Sequence, residues 1–101
     1  QAVGSGYPFR GYKRTAQEAG PRVPLLVRYP GKVAAGSVQP GLAANIDLMP
    51  TLLSLAGADL PSDRALDGLD LSPLLLGRAA DSPRTHFFYY EENDCDAVGV
   101  R

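Results

Sequence analysis

The first sustained apolar block of the chain occupies residues 25–29, Leu-Leu-Val-Arg-Tyr, between Pro24 and Pro30. A short, mainly apolar run between prolines is typical of a β-strand that is buried on both faces of a sheet. Pro30 and Gly31 then form a predicted turn. Residues 1–20 show a period of neither 2 nor 3.6, which predicts an irregular loop, and loops of that length usually have a function.

A second apolar block predicts an α-helix that begins near Asp47 and ends at Ala56, with Gly57 as its C′ residue. Aspartate is a favoured N-cap residue, and glycine is favoured at C′. Pro50 is compatible only with the first turn, where the backbone N–H groups have no partner inside the helix. The helix is apolar almost all round, as expected of an element enclosed in a larger body.

Turn signals follow this helix. Residues 66–69 predict a tight turn in which Gly68 and the aspartate before it tolerate positive φ. A shorter helix is predicted from Ser72 as N-cap, followed by proline, to Gly77 after three leucines. Asp70 stands just before that helix, where a carboxylate that bonds nearby backbone explains it.

The C-terminal region predicts a hairpin. Residues 86–90 are rich in aromatic side chains and predict a strand, and residues 97–100 predict a second one. The acidic residues between them lack the ligand spacing and the glycine of an EF-hand, so residues 91–96 are interpreted as a solvated hairpin tip.

A strand followed by helices and then a hairpin indicates the α/β class. Loop-forming residues at 79–85 suggest a boundary, which gives a first domain over residues 1–80 and a second over residues 81–101. The predicted elements are too few to close a sheet, so we expect the chain to be part of a longer protein. The lack of an initial methionine and of a secretory signal leads to the same expectation.

Composition narrows the classes of function. Ten Lys and Arg residues against eleven Asp and Glu residues give a net charge of -1, which argues against a general binder of nucleic acid or anionic membranes. Apolar residues make up 45 % of the chain, yet no run approaches the roughly 20 residues of a membrane span. The single cysteine, Cys95, gives no disulfide framework and says little about the compartment, so localisation is not assigned.

Residues 10–24 read R-G-Y-K-R-T-A-Q-E-A-G-P-R-V-P and resemble a recurring motif of the sulfatase family, R-G-x-K-G-T-x-x-E-G-G-x-R-V-P. The resemblance continues through residues 29–32, 35–37, 47–53, 55–58 and 66–75. Separated blocks in the same order with similar gaps form a specific signal, whereas a lone K-x-T would carry none. In two departures, Arg14 and Ala19 each replace a motif glycine, and Arg14 adds a cation that could alter which anion fits.

The resemblance implies a fold. Sulfatases belong to the alkaline-phosphatase superfamily, with a large α/β domain around a mixed sheet and a small C-terminal domain around an antiparallel sheet. On this mapping residues 1–80 are the C-terminal portion of the catalytic α/β domain, and residues 81–101 begin the small antiparallel subdomain. Many family members are exported or lysosomal.

The resemblance also implies site residues. Sulfate-ester hydrolysis develops negative charge on oxygen, so its site needs fixed cations, and the motif lysine of the family, here Lys13, contacts the sulfate. Without the resemblance to sulfatases, Lys13 would be interpreted as a solvated lysine on the surface. Glu18 and Arg22 are interpreted as a structural charge pair and Asp47 as a helix cap. His86, the single histidine, is assigned to packing, with substrate contact as the alternative.

Other parts of the implied mechanism are expected elsewhere in a longer protein. Sulfatases use a formylglycine made within C/S-x-P-x-R, and Cys95 lacks both the Pro and the Arg, so it is not the nucleophile. The family implies Ca²⁺, but the Asp-Asn pair expected to ligate it shortly before the lysine motif is absent. We therefore expect the isolated chain to be inactive. A phosphate or phosphonate ester hydrolase of the same superfamily and a truncated non-catalytic remnant remain as alternatives.

Overall fold

The computed structural model describes residues 7–13, 15–90 and 97–101. Two compact units divide the chain. The first, here the terminal unit, joins Gln1–Leu26 to Phe88–Arg101, and the second, here the helical unit, comprises Val27–Phe87. The boundary between residues 80 and 81 stays a prediction.

The main helix of the helical unit is α1, Leu48–Ala56, which directly follows a 3₁₀ turn at Asn45–Asp47. Gly57 ends the helix with φ 70°. Its N–H donates to the Ser54 carbonyl at 3.1 Å, and the next N–H along the chain donates to the Leu53 carbonyl at 2.9 Å. This is a Schellman motif, so the prediction of Gly57 as C′ is confirmed.

The second helix, α2, spans Ser72–Leu75 and ends in the same way, with φ 69° at Gly77. Ser72 was predicted as the N-cap, but it is the first helical residue. The carboxylate of Asp70 makes the stabilising contacts instead, accepting the Ser72 N–H at 2.7 Å and the Ser72 hydroxyl at 2.9 Å. Asp70 thus bonds the start of α2, as its position before the helix predicts.

The core of the helical unit lies where α1 meets α2. Leu71, Leu74 and Pro50 are buried there together with the hydroxyl of Thr51. Thr51 donates to the Asp47 carbonyl at 2.6 Å and accepts the Leu71 N–H at 2.9 Å. The buried hydroxyl therefore joins the first turn of α1 to the chain entering α2.

The terminal unit contains a two-stranded antiparallel sheet of β1, Phe88–Tyr90, and β2, Ala97–Val100. Phe88 pairs with Val100, and the register shifts by a bulge after Tyr89. The hairpin strands are confirmed, although β1 begins two residues later than predicted. The predicted tip, residues 91–96, lies outside the described residues.

The strand predicted at residues 25–29 is wrong for the described chain, where this segment has no strand assignment and is exposed. Leu26 is 93 % exposed. A strand exists only beside a hydrogen-bonded neighbour, and the ladder in the described ranges joins β1 to β2 alone. The predicted burial is therefore not found either, because the apolar pattern does not specify which surface would cover these residues.

Helices and a small antiparallel sheet are compatible with the predicted α/β class. Much apolar surface stays open, including Val38 and Leu52. Within the described ranges, no helix combines the length and apolar character that crossing a membrane requires.

Candidate functional site

Lys13 lies exposed in a tight turn of the terminal unit, and Thr15 closes that turn. The Thr15 N–H donates to the Tyr12 carbonyl at 3.1 Å, and the Thr15 hydroxyl donates to the same carbonyl at 2.8 Å. The Tyr12 N–H donates back to Thr15 Oγ1 at 3.2 Å. Residue 14, the arginine at a motif glycine, lies outside the described residues.

Two glycines let the loop around this turn pack closely. Gly11 has φ 99°, and a Cβ there would lie 2.7 Å from Thr15 Oγ1. A Cβ on Gly20 would lie 1.9 Å from the Thr15 carbonyl oxygen, closer than any real contact. The Ala19 N–H also donates to the Arg10 carbonyl at 3.0 Å. Gly11 and Gly20 are therefore required by positive φ and by close approach.

Charged side chains flank the loop. Arg22 donates to Glu18 Oε1 at 2.7 Å and lies 4.2 Å from the centroid of the Phe9 ring. Arg101 donates to the same carboxylate oxygen. The hydrogen bond from Arg101 is the main reason that the pKa of Glu18 lies below its ordinary value. These pairs are partly exposed, so they orient the loop more than they stabilise it.

The loop places the Lys13 ammonium on a backbone that hydrogen bonds between Tyr12 and Thr15 hold in place. The Lys13 ammonium has three donors on a flexible stem, and its backbone is fixed on one side by Tyr12 and on the other by Thr15. Such a group can bind an anionic oxygen of a ligand. Its role at a sulfate stays a prediction.

Asp47, predicted as the cap of α1, has a different role in the helical unit. Its side chain makes no capping hydrogen bond to α1, because its backbone is already helical with ψ -15°. The carboxylate instead accepts N–H groups from Ala44 and Leu69, both at 2.8 Å, and two donors of Arg84. Asp47 therefore occupies the N-cap position of α1, as predicted, but its side chain does not cap the helix and instead joins three chain segments.

The environment of Asp47 acts on its charge in two directions. Burial of the carboxyl raises its pKa, but hydrogen bonds from Arg84, Leu69 and Ala44 together outweigh burial and hold the pKa below its ordinary value. The hydrogen bond with Asp47 correspondingly raises the pKa of Arg84. The Asp47 carboxyl is therefore ionised at neutral pH. Sequence analysis missed Arg84, because it stands in a loop signal 37 residues away.

Gly68 supports the same junction for a reason other than the predicted one. It is absent from the glycines that have positive φ in the described chain. A Cβ on Gly68 would lie 2.2 Å from the Ile46 carbonyl oxygen. The tight turn predicted at residues 66–69 is only a bend at Asp67, and this segment needs glycine for close approach, which lets the Leu69 N–H reach Asp47.

His86 is exposed in the helical unit, and its Nδ1 lies 3.0 Å from the Thr85 hydroxyl. Lys13, Glu18 and Arg22 belong to the terminal unit, and each unit is described by itself. The alternative of substrate contact for His86 stays a prediction.

The helical unit also has a cleft of about 190 Å³. Its lining residues are Tyr29, Lys32, Ser54, Leu55, Ser72, Leu76 and Arg78. The hydroxyls of Ser54 and Ser72 lie 3.0 Å apart and hydrogen-bond to each other. These two groups therefore hold α1 to α2, which is a structural role.

The described residues do not fit the calcium ion that the family resemblance implies. In the ranges searched, no three His, Cys, Asp or Glu side chains lie together. The most buried carboxylate, that of Asp47, already accepts four hydrogen bonds, two of them from a guanidinium. A hard cation with six to eight oxygen ligands has no such set here.

Comparison with known proteins identifies the family. The family model described as "N-sulphoglucosamine sulphohydrolase, C-terminal" matches residues 10–100. The chain is 46 % identical over 98 residues to the steryl-sulfatase of Rattus norvegicus, which covers 97 % of this chain and 17 % of that protein. It is 50 % identical over 88 residues to the N-acetylgalactosamine-6-sulfatase of Homo sapiens, covering 86 % of this chain and 16 % of that protein.

Arylsulfatase A of Homo sapiens is 49 % identical over 88 residues, which cover 87 % of this chain and 17 % of that protein. These relatives are all sulfatases. The chain belongs to the sulfatase family, in the part that the N-sulphoglucosamine sulphohydrolase C-terminal model describes. The predicted family is thereby confirmed, and the chain spans about a sixth of the length of these relatives.

Proposed function

We propose that this chain is part of a longer sulfatase that hydrolyses sulfate esters, and that Lys13 binds the sulfate group. The observation that carries the proposal is the exposed Lys13 ammonium on a turn held by Thr15, within the family-matched residues 10–100. The relatives' names support the class of reaction, since each is a sulfatase.

The chemistry of Lys13 follows from charge. Negative charge grows on the nonbridging and leaving oxygens as the ester bond breaks, and a fixed cation lowers the energy of that state. Lys13 would donate N–H bonds to the nonbridging oxygens and would neither gain nor lose a proton. Its effect requires that water be excluded around the sulfate, which other parts of the protein would provide.

The nucleophile in this proposal is a formylglycine outside the described residues, and it would supply the attack on sulfur. Cys95 lacks the surrounding modification motif and also lies outside the described residues. Calcium would likewise be held by residues other than the described ones. The contribution of the described chain is to bind and orient the sulfate.

The partner of this chain is, in our proposal, the rest of the catalytic domain, with an alkaline-phosphatase-like mixed sheet. Large apolar side chains such as Leu26, Val38 and Leu52 are strongly exposed here. Open apolar surface of this kind marks an interface.

The test uses the full-length protein and compares hydrolysis of an aryl sulfate, a steryl sulfate, an N-acetylgalactosamine 6-sulfate and the matching aryl phosphate. Lys13→Ala should lower turnover of the preferred sulfate by roughly 10²–10³, by analogy with loss of one oxyanion donor. Lys32→Ala, which removes an exposed lysine of the helical unit, is the matched control and should leave turnover unchanged.

Normal turnover by Lys13→Ala would overturn the role of Lys13. Preference for the phosphate would favour the phosphate or phosphonate ester hydrolase, and inactivity on every ester would favour the non-catalytic remnant. The isolated 101 residues should hydrolyse none of the four esters, because the proposed nucleophile is not among them.

A further inference from the structure

Thr15 is half-buried, and the three hydrogen bonds described here all join it to one residue, Tyr12. Its N–H and its hydroxyl both donate to the Tyr12 carbonyl, at 3.1 and 2.8 Å. Its Oγ1 accepts the Tyr12 N–H at 3.2 Å. One side chain therefore holds both backbone polar groups of the residue immediately before Lys13.

The position of Thr15 is itself restricted by the loop. Gly11 and Gly20 approach its Oγ1 and its carbonyl oxygen so closely that a Cβ on either glycine would collide with Thr15. A β-branched side chain also has few χ1 states, and the hydrogen bonds with Tyr12 hold the hydroxyl in one of them. The fixed loop thereby holds Thr15, and Thr15 holds Tyr12.

This arrangement matters for a lysine. The four-carbon stem of lysine is flexible, so the direction in which the ammonium leaves the protein depends on the backbone that carries it. A misplacement of about 1 Å between a catalytic group and its substrate can cost on the order of 10²-fold in rate. The hydrogen bonds between Thr15 and Tyr12 form a clamp on either side of Lys13. This clamp would keep the ammonium at the correct distance and direction from the bound ester.

We propose that Thr15 is a positioning residue for sulfate-ester hydrolysis, acting through Lys13 by clamping Tyr12 with its hydroxyl. The inference rests on the proposed function, because it assumes that Lys13 binds the sulfate. It adds the residue that sets the direction of the Lys13 side chain.

The test uses the full-length protein, the sulfate ester that it turns over best, and four single variants. Thr15→Val keeps the shape and removes the hydroxyl, whereas Thr15→Ser keeps the hydroxyl. Ser37→Ala is the matched control, because Ser37 also donates to the carbonyl three residues earlier, at 2.8 Å from Ala34, with no lysine between them. Lys13→Ala is the fourth variant, and the Thr15→Val change is also made in its background.

We expect Thr15→Val to lower kcat by about 10- to 100-fold with an unchanged thermal midpoint, and to weaken inhibition by inorganic sulfate. Thr15→Ser should restore kcat to within about threefold of the parent, and Ser37→Ala should match the parent. In the Lys13→Ala background, Thr15→Val should change kcat less than about twofold, because residues that act as one unit are not additive.

Each contrary result has a distinct meaning. If Thr15→Val retains full kcat while Lys13→Ala loses it, the positioning role is overturned and the proposed function stands. An equal loss from Thr15→Val with and without Lys13 also overturns positioning, since the effect then does not act through Lys13. Loss in Thr15→Ser as large as in Thr15→Val excludes the hydroxyl as the cause. Full kcat in Lys13→Ala overturns the proposed function itself, and the positioning role with it.

Discussion

The Arg84 guanidinium holds the Asp47 carboxylate by two parallel hydrogen bonds, from Nε to Oδ2 at 2.8 Å and from Nη2 to Oδ1 at 2.5 Å. The same Nη2 donates to the Asp67 carbonyl at 2.9 Å. The Asp47 side chain is 0 % exposed and that of Arg84 is 10 % exposed. The pair is therefore buried, and it joins the start of α1 to the bend at Asp67 that precedes α2.

Removal of Arg84 should destabilise the protein strongly. Arg84→Ala leaves the Asp47 charge buried without its partner, which typically costs about 3–5 kcal/mol. Urea unfolding of the full-length protein, followed by fluorescence, should show a lower midpoint. Arg64→Ala is the control, because Arg64 pairs with Asp63 at the surface, and its midpoint should match the parent. Equal midpoints for Arg84→Ala and the parent would contradict the buried pair.

Asp47 should make stability depend on acid. Its pKa is depressed in the folded state, so its stabilising effect is complete above the unfolded value of about 3.9 and is lost as pH falls through the lower folded value. We expect the difference in unfolding free energy between the parent and Asp47→Asn to shrink as pH drops below about 4. A difference that stays constant from pH 7 to pH 2 would contradict this linkage.

The hydroxyl of Thr51 should stabilise the α1–α2 junction. Thr51→Val keeps the shape but leaves the buried Leu71 N–H without its acceptor, at a cost of about 1–3 kcal/mol. Thr51→Ser keeps the hydroxyl and should lose much less, which chemical denaturation of both variants would measure. The hydrogen bond is not the cause if serine and valine destabilise equally.

Gly68 and Gly57 should respond differently to alanine. Gly57→Ala places a Cβ at φ 70° with open space around it, so the cost should be about 1–2 kcal/mol. Gly68→Ala drives a Cβ to 2.2 Å from the Ile46 carbonyl, so the backbone must move and the Leu69 N–H must leave Asp47. Thermal unfolding should therefore show the larger loss at Gly68. The reverse order would place the strain at Gly57 instead.

Local signals predicted much of the fold. Gly57 and Gly77 each end a helix with positive φ, and residues 97–100 form β2, because helix ends and short strands depend on neighbouring residues. The strand predicted at residues 25–29 is not formed and its residues are exposed, since an apolar run specifies neither a sheet partner nor the surface that would cover it. Propensity could not provide what only a neighbouring strand provides.

The candidate site was predicted to a smaller extent. The motif predicts Lys13 as a site residue and Glu18 and Arg22 as a charge pair. The structure shows Glu18 and Arg22 in contact at 2.7 Å. The clamp by Thr15 was not predicted, because hydroxyl direction depends on the loop conformation. The contact of Asp47 with Arg84 was missed for another reason, namely that no local pattern pairs residues 37 positions apart.

The buried ion pair has a consequence for synthesis of the chain. All residues of α1 have been synthesised once Gly57 is added to the chain. The Asp47 carboxylate at its start, however, cannot pair with the Arg84 guanidinium until translation has passed Arg84. Burial of a carboxylate without a partner is costly. In the ribosome-bound chain we therefore expect the Asp47 end of α1 to stay hydrated and only partly helical. The Asp47 end of α1 can then be buried only after Arg84 has left the exit tunnel.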